Sequence, residues 1–437
     1  MNSHIRQSRA EQRCLSAIDA CDTQNVKRIL VAALLAAVFG MAIISPESVS
    51  AETIAKTSPL NPISLSFSSP RDGYMLSLYD CARHTCANLR STNDAGSTWS
   101  EVPIPSQLNK SLQLASWDSY GASYDTLTIH FGDARDGWIY GTIPVPDRLD
   151  PAYPNMVSRL WSTHNGGRTW RRIRLGPLRI TLGVAAMATH GPWTYLFGGT
   201  NTSARSYILG THSNVDQWTV KSKGQMGSPA GGTQLEGAFS FSGSKGWFVA
   251  GNDRGFTASA RLCEDGSWQP WSGPTVDSAA FAPIAVVSSN VLLIEGQSAG
   301  FVIPPASTVP RGWNNEASWL FISHNAGTTF KPYRQLSSSY RGGYSTAPVP
   351  GLPATPIPGV ILLQRTVRNA YELLRSSNWG RTWQVALKRS VSQVVFTSRS
   401  VGFAIVQRRS SPITTTVLRT NDSGIHWSDV HNWQLFS

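Results

Sequence analysis

The octet Thr92-Asn93-Asp94-Ala95-Gly96-Ser97-Thr98-Trp99 returns at 163–170, 323–330, 376–383 and 420–427. The shared frame is Ser or Thr, then Asp or Asn two places on, Gly two further, Thr, and a closing aromatic. Only His426 breaks the Thr position. A short pattern recurring at domain-fraction intervals is the mark of a stacked or radial array, in which one supersecondary unit is copied. It excludes folds built once around a single irregular core.

Each position of the frame has a role at a hairpin turn. Asp94, Asn165, Asn325, Asn378 and Asp422 supply a carbonyl or carboxylate oxygen to nearby backbone N–H groups, and Asn replaces Asp because that oxygen is kept. Gly96, Gly167, Gly327, Gly380 and Gly424 provide φ > 0. Trp99, Trp170, Phe330, Trp383 and Trp427 cover the turn and anchor it to the next layer. None of these roles requires a ligand.

Two weaker copies fill the gaps. Thr211–Trp218 lacks the Gly, and Cys263–Trp268 keeps Asp265-Gly266 in a shortened turn. The closing aromatics then stand at 99, 170, 218, 268, 330, 383 and 427, which gives seven units with no interval long enough to hide an eighth. Apolar runs leading to a Gly-aromatic pair recur ahead of several turns, as at Phe67 to Tyr74, Ile129 to Trp138, Phe239 to Trp247 and Val395 to Phe403. Each reads as a strand, a polar loop and a second strand. With the hairpin around the frame this makes four strands per unit, so the expected fold is all-β, a single seven-bladed propeller of four-stranded antiparallel blades.

The frame resembles the Asp-box, or bacterial neuraminidase repeat, of sialidases, sortilin-type receptors, xyloglucan-active glucanases and photosystem II assembly factors. The assembly-factor propellers are most similar, since they pair the Gly-aromatic strand with the turn frame. That resemblance covers about residues 60 to 433 and implies a scaffold that holds a partner during maturation. It marks a fold more than a function.

The N-terminus reads as an export signal: Lys27-Arg28, an apolar run from Ile29 to Ile44, and the small-x-small site Val49-Ser50-Ala51. The expected organisation is a leader over 1–51, cleaved or kept as an anchor, a linker over 52–62 and the propeller over 63–437. The expected place is outside the cytoplasm, secreted or at the cell surface. There Cys81 and Cys86 are expected to form a disulfide, while Cys263 reads as a buried thiol. The chain carries 38 basic against 26 acidic side chains, a net charge of +12. The densest cluster, Arg168, Arg171, Arg172 and Arg174, is a candidate anion-binding patch. The expected partner is a protein or an anionic cell-surface polymer. No nucleic-acid partner is expected, because the compartment is wrong and no recognised motif occurs, and a monomer is expected.

Long intervals between frames locate inserted loops at 144–156, 297–316 and 337–358, rich in Pro, Gly or Ser. Long loops on a rigid sheet scaffold are where binding resides. Catalytic chemistry finds little support. The resemblance to sialidases would imply an Arg-Ile-Pro motif, but the chain has Arg172-Ile173-Arg174 and Arg179-Ile180-Thr181 instead. A glycosidase needs two carboxylates facing each other across a cleft; Asp118, Asp125, Asp133 and Asp136 are the candidates, two of them in a repeated loop. No serine-hydrolase, phosphate-loop or zinc-protease motif occurs. No catalytic residue, cofactor or metal is therefore expected. A non-catalytic binding or assembly scaffold is the favoured reading, and a secreted carbohydrate-active protein on the same fold is the alternative.

Overall fold

The computed structural model describes residues 60–81, 84–113, 127–145, 155–175, 182–200, 205–225, 236–251, 257–270, 279–281, 285–288, 290–298, 318–335, 352, 354–367, 370–408 and 414–434. All belong to the unit formed by 58–437. The expected leader lies outside these residues, and the first strand, Asn61–Phe67, begins just ahead of 63.

Seven antiparallel sheets follow one another along the chain, each a simple meander from an inner to an outer strand. They form the seven blades of a β-propeller, over 61–102, 128–172, 182–225, 236–270, 279–335, 361–387 and 390–434. Blade 5 has its inner strand in two pieces, Ala279–Phe281 and Ala285–Val286. Blade 6 shows three strands among the described residues, and Ala354 bridges Leu362 where an inner strand would pair.

The sequence of the middle strands follows from having both faces covered. In blade 1, Tyr74, Leu76 and Leu78 point toward blade 2, while Met75 on the other face packs against Phe403, Ile405 and Val417 of blade 7. A strand buried on both sides reads as a continuous apolar run instead of an alternating one. The core is thus divided among the seams between blades, one apolar cluster to each of the seven among the described residues.

The ring closes without sharing a strand, because blade 1 is wholly N-terminal and blade 7 wholly C-terminal. Side chains join them instead. Gln393 accepts from the Leu65 N–H at 2.7 Å and donates back to the Leu65 carbonyl at 3.0 Å. Phe67 stacks on Phe403 with centroids 3.6 Å apart. Inner strands elsewhere are tied the same way: Ser64 and Ser66 accept from Ile129 N and Phe131 N, and Gln364 accepts from Val391 N. These bonds satisfy backbone groups that an edge strand would otherwise leave open.

Cys81 and Cys86 are paired as a disulfide across the second hairpin of blade 1, with Cα atoms 5.9 Å apart. Cys263 corrects an expectation. It is buried at the entry to the fourth turn, as the sequence suggested, but it is disulfide-bonded and not a free thiol.

Candidate functional site

In a meander, successive connections alternate between the two ends of the blade. The first and third connections, including every turn frame, therefore lie at one end of the ring. The second connections and the links between blades lie at the other. The disulfide hairpin of blade 1 and the helix Ser106–Leu112 are at this second end. So are the ends of the described strands flanking 146–154, 299–317 and 336–351. The three candidate loops fall largely outside the described residues, and what the fold supplies is their common end.

The turn end is closed by bonds. In blade 1 the Thr92 hydroxyl donates to Asp94 Oδ1 at 2.8 Å and accepts from Gly96 N–H at 2.9 Å. Asp94 in turn accepts from the Thr98 backbone N–H at 2.9 Å and hydroxyl at 2.6 Å. Those donors, the Thr98 hydroxyl foremost, hold the Asp94 carboxyl down to about 2. Asn165, Asn325 and Asn378 repeat the arrangement, each accepting from the N–H four residues on at 2.9 Å and donating its amide to the Thr hydroxyl. In blade 7 His426 stands in for Thr, its backbone N–H donating to Asp422 at 2.9 Å and its ring nitrogen lying 2.7 Å from the same carboxylate. Burial raises the Asp422 carboxyl, but the bonds from His426 and Thr420 outweigh it and bring it to about 2.

Two features of these turns were not legible beforehand. The residue before each frame Gly is also left-handed: Ala95, Ala326, Trp379 and Ser423 have φ of 54° to 64°, with Gly166 at 71°. Each of those residues donates its N–H to the first loop of its own blade, at Arg71 O, Arg135 O, Asn290 O, Gly359 O or Ser400 O. The turn is thereby pressed against the preceding blade. A Cβ on Gly167 would stand 2.6 Å from Val102, and on Gly424 2.6 Å from Leu362. The preceding blade reaches forward as well: Trp247 Nε1 donates to Ala326 O, the Tyr333 hydroxyl to Trp379 O and Arg375 Nε to Ser423 O. The closing aromatics lie in the same seams, Trp99 edge-on to Phe67, Trp170 to Phe131 and Trp427 to Phe396. Phe330 and Trp383 pack on the clusters of seams 4/5 and 5/6.

Arg168, Arg171, Arg172 and Arg174 are all exposed along the turn and outer strand of blade 2. Arg159 on the neighbouring strand is half-buried, and burial followed by the charge of Arg172 lowers its guanidinium pKa. Among the described residues none of the five lies at ion-pair distance from a carboxylate.

Two of the four acid candidates, Asp133 and Asp136, are taken up by local bonds. Asp118 and Asp125 lie outside the described residues. Asp133 caps its own loop, accepting from Arg135 and Asp136 N–H at 2.7 Å. Asp136 is held by His164 Nδ1 at 2.8 Å, and the other ring nitrogen faces Asp216 of blade 3 at 3.4 Å. Ser162 also donates to Asp216, at 2.9 Å. This cluster joins blades 2 and 3, and sequence spacing offered no sign of it, since 54 residues separate Ser162 from Asp216. Among the described residues no group of three or more His, Cys, Asp or Glu is arranged to hold a metal ion. None of their helices is long and apolar enough to cross a membrane.

The fold and its seams define this molecule as a seven-bladed β-propeller. No protein-family model and no curated protein matches the sequence. Among solved structures it is similar to a puromycin-hydrolyzing peptidase of Mycobacterium tuberculosis, at 10% identity and a TM-score of 0.50, over 87% of this chain and 54% of that one. YCF48 bound to a D1 peptide aligns at 17% identity and a TM-score of 0.47, over 84% and 94%. The propeller domain of the trilobed protease from Pyrococcus furiosus aligns at 9% identity and 0.49, over 85% and 98%. At these identities the likeness is one of fold.

Proposed function

We propose that this protein is an exported, non-catalytic binding or assembly scaffold that engages a protein partner through the end of the ring opposite its turns. The observation that carries this reading is the division of the two ends. One end carries short turns braced by their own hydrogen bonds, while the strands bordering all three long inserted segments finish at the other. Loops that need not hold the fold together are free to specialise in contact. The turns themselves read as Asp-boxes used as structural braces, and the exposed arginines of blade 2 are a secondary contact for an anion.

The test is affinity capture from the extracytoplasmic fraction, using the full chain and a variant whose 146–154 and 337–350 segments are replaced by Gly-Ser linkers of equal length. Recovery of a protein partner by the native chain and its loss with the variant is the expected result. Recovery of no protein by either, together with turnover of a cell-surface glycan by the native chain, would overturn the scaffold in favour of a carbohydrate-active enzyme.

A further inference from the structure

The register of the outer strands sorts the arginines of blade 2 onto two faces. Trp161 stands opposite Arg172, and Ser162 opposite Arg171. Ile173 N–H donates to the Leu160 carbonyl at 2.9 Å, so the same register runs on and sets Arg174 opposite Arg159. Leu160 and Ile173 belong to the cluster between blades 2 and 3, whereas Val157 and Trp161 pack in the cluster between blades 1 and 2. Side chains alternate along a strand. Arg171 therefore lies on the blade 3 side, and Arg159, Arg172 and Arg174 share the side turned to blade 1.

These three side chains start close together. Residues directly opposite have Cβ atoms about 5 Å apart, and a diagonal pair such as Arg159 and Arg172 about 7 Å. The charge of Arg172 is felt at the half-buried Arg159, whose guanidinium pKa it lowers further than burial does. Like charges set opposite one another cost stability. Across the seam stand the outer strand Ser100–Val102 of blade 1 and the helix Ser106–Leu112. The single acid in that stretch, Glu101, is opposite Arg90, which is itself opposite Met75 on the face toward blade 7. Its other charge, Lys110, adds to the positive field. Elsewhere an outer arginine has its acid, as Arg389 meets Asp429 at 3.1 Å.

We propose that this face of blade 2 binds a phosphate group, presented as a phosphomonoester or as the free ion. A tetrahedral dianion offers three or more acceptor oxygens, and forked guanidiniums match it through paired N–H donors. A carboxylate, with two oxygens and one charge, is too small to engage all three. Arg159 uses one N–H on the Ser158 carbonyl at 3.1 Å and keeps the other donors of its fork. The inference rests on the reading of the blade 2 arginines as an anion contact, and narrows it to one face and one ligand class. The loops at the end opposite the turns have no part in it.

The experiment titrates the full chain with glycerol 3-phosphate, inorganic phosphate and acetate at constant ionic strength, reading calorimetry and tryptophan fluorescence. Saturable binding of phosphate without comparable binding of acetate is expected. Binding of glycerol 3-phosphate extends the site to esters, and binding of the ion alone limits it to free phosphate. Arg172→Gln and Arg174→Gln should each weaken binding about tenfold, as loss of a charge-assisted hydrogen bond requires. Arg171→Gln makes the same change of charge on the other face and should alter binding by less than about twofold. Thermal unfolding verifies that each variant is folded. No saturation with either phosphate, equal binding of acetate, full retention in Arg172→Gln and Arg174→Gln, or an equal loss in Arg171→Gln would each overturn the proposal. Phosphate binding that persists in a chain capturing no protein partner would count against the scaffold alone.

Discussion

At the residue scale the turns rest on two left-handed positions in succession, only one of which a sequence pattern reveals. Gly96 and its counterparts are visible because few other residues accept that backbone. Ala95, Trp379 and Ser423 are not visible, since their φ is imposed by the hydrogen bond to the first loop of the blade. Steric room separates the glycines further. Gly167→Ala meets both a positive φ and Val102 Cγ1 at 2.6 Å, whereas Gly266→Ala meets the φ alone. Gly167→Ala should therefore cost about 3 kcal/mol and Gly266→Ala about 1 kcal/mol, as read from urea unfolding. Asp94 adds a pH dependence. Its folded pKa, about 2, is below the unfolded one, so its contribution is complete above pH ~4 and is lost as pH falls through about 2. Asp94→Asn keeps the acceptor oxygen, and its stability deficit relative to the native chain should shrink over that interval. His130, drawn down to about 4 by burial, works in a higher window. Its neutral ring supports the fold fully above about pH 6.5, and the support fades as pH falls toward 4. His130→Phe should flatten that part of the stability profile.

At the scale of elements, seam chemistry decides how blades stay together. The Gly-aromatic strands and the blade count were readable because they repeat locally. The closure was not, because Gln393 meets Leu65 across 328 residues and no periodicity connects them. Gln393→Ala removes a donor and an acceptor from a backbone pair at the joint between the first and last blades. It should cost about 2 kcal/mol, against about 1 kcal/mol for Tyr333→Phe, which loses a single hydroxyl bond to Trp379. Chemical denaturation of both variants checks the order. The same distance argument explains why Asp136, His164 and Asp216 were missed as a unit. Each reads alone as part of a loop, and the blade 2/3 contact brings them together.

At the scale of the whole molecule, the repeats specify a seven-bladed propeller and leave its purpose to whatever interrupts them. Counting frames was enough to state the blade number, and the intervals between frames marked where segments had been added. Which end those segments share could be known only once the strand order was in hand. The fourth turn, shortened by two residues, was legible as an irregular copy, yet its Trp268 is buried between blades 3 and 4 as the other closing aromatics are in their seams. The proposed function makes the end opposite the turns the working surface. Site-specific photo-crosslinking in the native compartment tests this directly, with the reactive side chain placed at exposed His84 beside the disulfide hairpin or at exposed Ile425 on the seventh turn. The expected result is a discrete protein adduct from position 84 and none from 425. An adduct from 425 with none from 84 would contradict it.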